Sequence, residues 1–356
     1  MLVRHPILRT VAVLSGAALA LVTAGPAQAK PRPAPPSGTA PVLVADGVVS
    51  PLHLAAGPGG HEIYIADPFT GRLLRADVTD SSTGTVTIAE DLTFAPGLTL
   101  QGNTVHVVGS EGDDPEGPAT LTYLGRLTRD GTISVAHDLL EFELDNNPDG
   151  QPLNEDAQSN PYDVLAYKGG FIVVDAAANA LLRVSASGRV SVLTVFPLDL
   201  QAPCDDPDGA GDNNGDVVGC DPVPTGVALG PDGYLYVSGL GAFVRGHVWK
   251  VDPRTGEIVA TLTATLTATH PDAPPLTDIA VGDDGAIYAA SPFAGAVFRL
   301  RNGQLSVAEL EGAASLLWSR GTLYVGAAPA VAAEDGPPPP GAVYAVPAGA
   351  FQPLTP

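Results

Sequence analysis

Two groups of side chains in this chain have the types and spacing for chemistry. The first is a run of short oxygen donors, Asp206, Asp208, Asp212, Asn214 and Asp216, alternating with Gly209, Gly211 and Gly215. Closely spaced carboxylates separated by glycines let a loop wrap a hard cation, so these residues are candidate ligands for structural Ca²⁺. No glutamate closes the run at the twelfth position, so it is not an EF-hand and stands nearer the DxDxDG-type loops of extracellular modules. A solvated acidic loop is the other reading of the same residues. The second group, Asp163, Asp278, Asn160 and His53, is scattered along the chain. These residues make a site only if the fold gathers them.

The elements that would gather them are short strands. The stretch Asn160–Pro197 holds four apolar or alternating runs separated by turn formers, which is the pattern of an antiparallel four-stranded unit. Its second run recurs as EIYIAD (Glu62–Asp67), TVHVVG (Thr104–Gly109), GFIVVD (Gly170–Asp175), YLYVSG (Tyr234–Gly239), AIYAAS (Ala286–Ser291) and TLYVGA (Thr322–Ala327). Six copies, spaced by 36 to 66 residues, predict an all-β, six-bladed β-propeller with four-stranded antiparallel blades. A β-sandwich also alternates strands and turns, but it does not require one motif six times.

The final unit lacks an outer strand, and PVLVADGV (Pro41–Val48) precedes the first complete unit. The N-terminal strand is therefore expected to complete the last blade and close the ring, which covers two sheet edges. The domain reading is a signal peptide at 1–29, a Pro-rich tether at 30–41, one propeller at 42–350 and a C-terminal tail at 351–356. Two inserts, 142–159 and 201–223, leave the ring at equivalent blade junctions and should emerge on one face. Inner strands beginning near His53, Gly97, Asp163, Gly226, Asp278 and Ser315 would line the axis. There Asp163 and Asp278, with Asn160 and His53, are candidates to hold a hard cation such as calcium. Hydrogen bonding to channel water and strand ends is the alternative role for them.

Arg4 and Arg9, the apolar stretch Ile7–Val22 and the small residues Ala27–Ala29 predict export, with cleavage near Ala29. Nothing later in the chain reads as a membrane span. In an oxidising compartment Cys204 and Cys220 are expected to pair and close the acidic insert, contributing about 3 kcal/mol. The chain has 39 acidic and 17 basic residues, and loss of Arg4 and Arg9 with the signal takes its net charge from −22 to −24. Such a balance excludes a nucleic-acid backbone as partner and fits an acidic extracellular monomer.

Three stretches carry a family resemblance. DNNPDG (Asp145–Gly150) with SNPYDV (Ser159–Val164), GGFIVVDAAANALLRVSASGRVSVLTVFP (Gly169–Pro197) and VPTGVALGPDGYLYVSGLGAF (Val223–Phe243) together resemble the ScyD/ScyE family of secreted propellers. Its cyanobacterial members are associated with making the pigment scytonemin, and the family is similar to the NHL-repeat propellers. The resemblance implies export, six blades and a ligand-binding region around Asn146, Asn147, Asn160, Tyr162 and Asp163. It brings no catalytic residue. The family commonly has SNPYG where this chain has SNPYD, so the carboxylate of Asp163 is a departure.

The chain has no GxSxG elbow, HExxH, phosphate-binding glycine loop or CxxC. The expected function is therefore a non-enzymatic scaffold that binds a small molecule, glycan or extracellular protein on its insert-bearing face. The alternative is a calcium-dependent lactonase- or esterase-like hydrolase, or an isomerase, working in the channel through Asp163, Asp278 and His53.

Overall fold

The computed structural model describes residues 35–112, 119–151, 159–200, 219–242, 244–262, 274–328 and 340–354. Six antiparallel sheets follow one another around a ring. Their inner strands are His53–Ala56, Phe94–Gln101, Pro161–Tyr167, Pro224–Leu229, Asp278–Val281 and Ala313–Ser319. The fold is the expected six-bladed propeller, and each landmark motif forms the second strand of its blade.

Burial explains why these segments become strands. A blade presents both faces to neighbouring blades, so its central strands are apolar throughout instead of alternating with water. Gly170–Asp175 and Thr322–Ala327 are buried at every position. A separate apolar cluster fills each junction between adjacent blades. Leu98, Val107 and Leu73 pack between the first and second, and Val173, Leu124 and Leu182 between the second and third. Tight Asp-Gly turns join inner to second strands, with Gly233 and Gly285 at φ of 82° and 78°, where a side chain would be strained. Asp232 is a turn residue there, accepting from the Tyr234 amide and pairing with Lys250.

The ring closes as expected. Val42–Val48 pairs antiparallel with Gly341–Val346 in the last blade, with Val42 opposite Ala345 and Val48 opposite Gly341. Val48, Leu54, Val343 and Ile65 then share one buried cluster between the last blade and the first. One blade departs from four strands. Gln352–Pro353, within the segment read as a tail, pairs with Gln304–Glu309 and gives the fifth blade a fifth strand.

The first insert begins with a helix, Leu139–Asn146, capped by Asp138, whose Oδ1 accepts the Glu141 amide. Much of the second insert lies outside the described residues, including Asp206, Asp208, Asp212, Asn214, Asp216 and Cys204. The expected pairing of Cys204 with Cys220 falls partly outside the described residues, since Cys204 does, and Cys220 is not a free thiol. A backbone bridge also ties the described end of the insert. Asp199 and Cys220 exchange two amide–carbonyl hydrogen bonds of 2.8 and 3.0 Å. Among the described residues, no helix is long and apolar enough to cross a membrane.

Candidate active site

The inner strands carry one equivalent position each, fixed by register. His53 faces Ala66, Gly97 faces Val108, Asp163 faces Val174, Gly226 faces Ser238, Asp278 faces Ala290 and Ser315 faces Gly326. Around the ring the order is therefore His, Gly, Asp, Gly, Asp, Ser. Functional side chains come from alternate blades, and the blades between them carry the smallest residues.

The small residues are required by close approach. A Cβ on Gly97 would stand 2.7 Å from the Tyr162 carbonyl oxygen and 2.8 Å from Asp163 Cα. One on Gly226 would stand 2.6 Å from Asp278 Oδ1. Ser315 fits because its hydroxyl donates to the Pro51 carbonyl at 2.5 Å. Thus each glycine leaves room for the carboxylate-bearing strand beside it.

Two backbone amides hold each carboxylate. Asp163 Oδ2 accepts from Val227 N of the next blade at 2.8 Å, and its Oδ1 from Val164 N. Asp278 repeats the arrangement, with Leu316 N on Oδ2 and Ile279 N on Oδ1, both at 2.7 Å. These bonds satisfy edge amides that the open inner strands would otherwise leave unpaired. Each carboxylate oxygen keeps a further lone pair.

His53 completes the set. Its Nδ1 lies 3.1 Å from Asp163 Oδ1, and the ligating atoms of His53, Asp163 and Asp278 all lie within 4.8 Å of one another. The carboxylates are 1% and 3% exposed, so their charges are poorly screened. Burial pushes Asp278 well above the usual carboxylate range, and the charge of Asp163 adds to it. Burial also raises Asp163, opposed by His53 and by the Val227 and Val164 amides. Tyr162 is raised by burial and by Asp278 and Asp163, so its hydroxyl stays protonated and can donate. A divalent cation fits such a set, because it relieves the repulsion between two buried carboxylates.

The set borders a cavity of about 280 Å³ lined by His53 and Asp278 together with Leu98, Val164, Ile279 and Trp318. This is at the small end of ligand-sized cavities. Two larger grooves, about 650 and 990 Å³, lie at outer parts of the first two blades, away from this cluster.

Other candidate residues stand apart from the triad. Asn160 gives its amide to Asp175 Oδ1. Asn146 is exposed and donates to the Phe142 carbonyl, and Asn147 Nδ2 donates to the Gln151 carbonyl. The sequence places Gly97 and Gly226 at the starts of inner strands but gives them no role. Their signal was their register with Asp163 and Asp278, which becomes visible once the inner strands are aligned.

Comparison with known proteins places the fold. No family model matches the chain, and no curated protein matches it. Among solved structures, a luciferin-regenerating enzyme aligns with a TM-score of 0.59 at 12% identity, over 88% of this chain and 97% of its own. The PQQ-bound aldose sugar dehydrogenase of Streptomyces coelicolor aligns with a TM-score of 0.54 at 13% identity, over 88% and 99%. A gluconolactonase of Xanthomonas campestris gives 0.53 at 14% identity, over 86% and 89%. Likeness at these identities shows a shared six-bladed propeller fold. The preference for a non-enzymatic scaffold requires correction on a different ground: the axis holds a His-Asp-Asp cluster with both carboxylates buried.

Proposed function

We propose that the protein is a metal-dependent hydrolase of small esters or lactones, working in the propeller channel with His53, Asp163 and Asp278 as the metal ligands. The observation that carries this reading is the convergence of three ligating atoms from alternate blades within 4.8 Å of one another. One imidazole nitrogen beside two carboxylates suits a divalent transition ion such as Zn²⁺ or Mn²⁺. Calcium, which favours an all-oxygen shell, is the poorer match here. When bound, such an ion polarises a carbonyl oxygen and acidifies a water molecule.

The chain supplies the remainder. The amides of Val227 and Leu316 fix the carboxylates, so little reorganisation is needed during reaction. Burial and the charges of Asp278 and Asp163 keep the Tyr162 hydroxyl protonated. In the reaction the water oxygen bonds to the acyl carbon, the acyl C–O bond breaks and the alkoxide takes the proton released by the water. The gluconolactonase among similar folds supports lactones as a substrate class to test. Export of the chain and kinship with the ScyD/ScyE family belong to this proposal, on the N-terminal pattern and the stretches quoted above.

Chelator-stripped protein reloaded with Zn²⁺, Mn²⁺ or Ca²⁺ should be assayed against a panel of small aliphatic esters and lactones. Turnover that requires metal and disappears in Asp278→Asn is the expected result. No turnover with any ion, or turnover unchanged in Asp278→Asn, would sink the reading.

A further inference from the structure

A second set of oxygen atoms gathers at the base of the two inserts, apart from the channel triad. Glu143 lies on the insert helix but is only 2% exposed. Its Oε2 has no hydrogen-bond partner among the described residues, nor has the buried Oδ1 of Asn147 one turn further on. Asn147 Oδ1 is an acceptor, and so is Glu143 Oε2 once its carboxyl is ionised. Asp149 and Asp175 bear on Glu143 with like charge. None of Glu143, Asp149 and Asp175 has an ion-pair partner among the described residues.

Neutral donors hold the remainder in place. Asn179, at φ of 49° and buried, donates through Nδ2 to Asp149 Oδ2 and to Asp221 Oδ1 at 3.0 Å each. Gln151 Nε2 donates to Asp221 Oδ1 at 2.6 Å. Asp175 is already occupied by Ser159 Oγ and the Asn160 amide, so it contributes charge from behind. Three segments therefore meet here: the first insert, a turn of the third blade and the described end of the second insert. Among the described residues, Glu143 Oε2 and Asn147 Oδ1 are left without a hydrogen-bond partner here. A proton on Glu143 answers one acceptor and one charge, whereas a cation answers several acceptors and their negative charge together.

We propose that this junction binds a hard divalent cation of the Ca²⁺ class, with Glu143 Oε2 and Asn147 Oδ1 as ligands and Asp149 contributing from the turn that follows. The donor set is all oxygen, mixing carboxylate and side-chain carbonyl, as calcium prefers and unlike the channel set with its imidazole. Burial, reinforced by Asp175 and Asp149, pushes the Glu143 carboxyl up to about 8. A cation in contact with it favours the ionised form and removes the repulsion. Its bound state would fasten the insert helix to the third blade beside Asn160 and the start of the inner strand that carries Asp163.

The test separates this site from the channel. Asp163→Asn/Asp278→Asn protein, stripped with chelator, is titrated calorimetrically with CaCl₂, with NaCl of equal ionic strength as control. The proposal expects a calcium-binding event in this background that Glu143→Gln weakens at least tenfold and that Asn147→Ala also weakens. If the channel variant loses its near-UV circular dichroism, the same two substitutions are compared in otherwise wild-type protein by the fall in bound calcium per chain. Calcium binding unchanged by both substitutions, or no calcium binding at all, overturns the proposal. No calcium binding in the channel variant, with hydrolysis present in the wild type, overturns the junction site alone; calcium binding there, with no hydrolysis in the wild type, overturns the channel reading alone.

Discussion

Asp163 Oδ1 lies 3.1 Å from Nδ1 of His53, a contact that joins the third blade to the first and skips the second. The second blade permits this contact because its equivalent residue is Gly97, with no side chain to stand between them. Side-chain size at one register position, alternating around the ring, thus turns six similar blades into one three-sided site.

Gly97→Ala tests that arrangement. The added methyl would meet the Tyr162 carbonyl oxygen and Asp163 Cα below 3 Å, so backbone must shift. Overpacking of this kind should cost about 1–3 kcal/mol in denaturant unfolding. Metal affinity should fall as well, because the displaced strand carries Asp163. Unaltered stability and affinity would show that the glycine is not needed for the approach.

Asp278→Asn should separate metal binding from folding. Stripped of metal, the wild-type protein keeps a buried carboxylate whose ionisation is opposed by burial and Asp163, so neutralising it should change Tm little. At a metal concentration of about 100 Kd the wild type should gain about 2.7 kcal/mol by linkage, and the variant should lose that increment. Thermal unfolding with and without metal checks both halves. An increment that survives the substitution would place the ion elsewhere.

Ring closure carries its own expectation. Val48 is fully buried where the N-terminal strand meets the first and last blades. Val48→Asp places an unpaired charge in that junction and should destabilise the protein by about 3 kcal/mol or more. Chemical denaturation reads the effect, and a change below about 0.5 kcal/mol would mean that closure contributes little to stability.

Much of the fold was legible because one apolar motif recurs with little change, from EIYIAD to TLYVGA, and burial between blades demands that motif each time. Asp163, Asp278 and His53 were legible as residues at the starts of inner strands. Their meeting at the axis was legible too, whereas its dependence on two glycines and the separate place of Asn160, bound to Asp175, were not. Glu143 escaped notice for a different reason. The helix Leu139–Asn146 spans the end of the second blade and the start of a polar insert, and its short LLEFELDN sequence shows no sustained periodicity. Nothing in a sequence marks one glutamate as buried. The fifth strand, Gln352–Pro353, is only two residues long and carries no strand signal.

Glu143 predicts how stability responds to pH. Its carboxyl is raised from 4.5 to about 8 in the folded protein, chiefly by burial, then by Asp175 and Asp149. The folded state therefore binds a proton that the unfolded state has released, and stability falls as pH rises from about 4.5 to about 8. In chelator, the Tm of wild-type protein should decline across this window, and Glu143→Gln should flatten the decline. Parallel curves for the two proteins would show that Glu143 does not contribute.

The hydrolase requires one ion shared by three blades, and anomalous diffraction shows whether it is there. Crystals grown with Zn²⁺ or Mn²⁺ and measured at the metal edge should show a peak at about 2.0–2.2 Å from ligand atoms of His53, Asp163 and Asp278, the usual bonding range for nitrogen and carboxylate ligands. A peak there in wild-type protein, absent from Asp163→Asn/Asp278→Asn crystals, is the predicted result. Metal-loaded wild-type crystals with no peak between these three side chains would contradict the site and the hydrolase built on it.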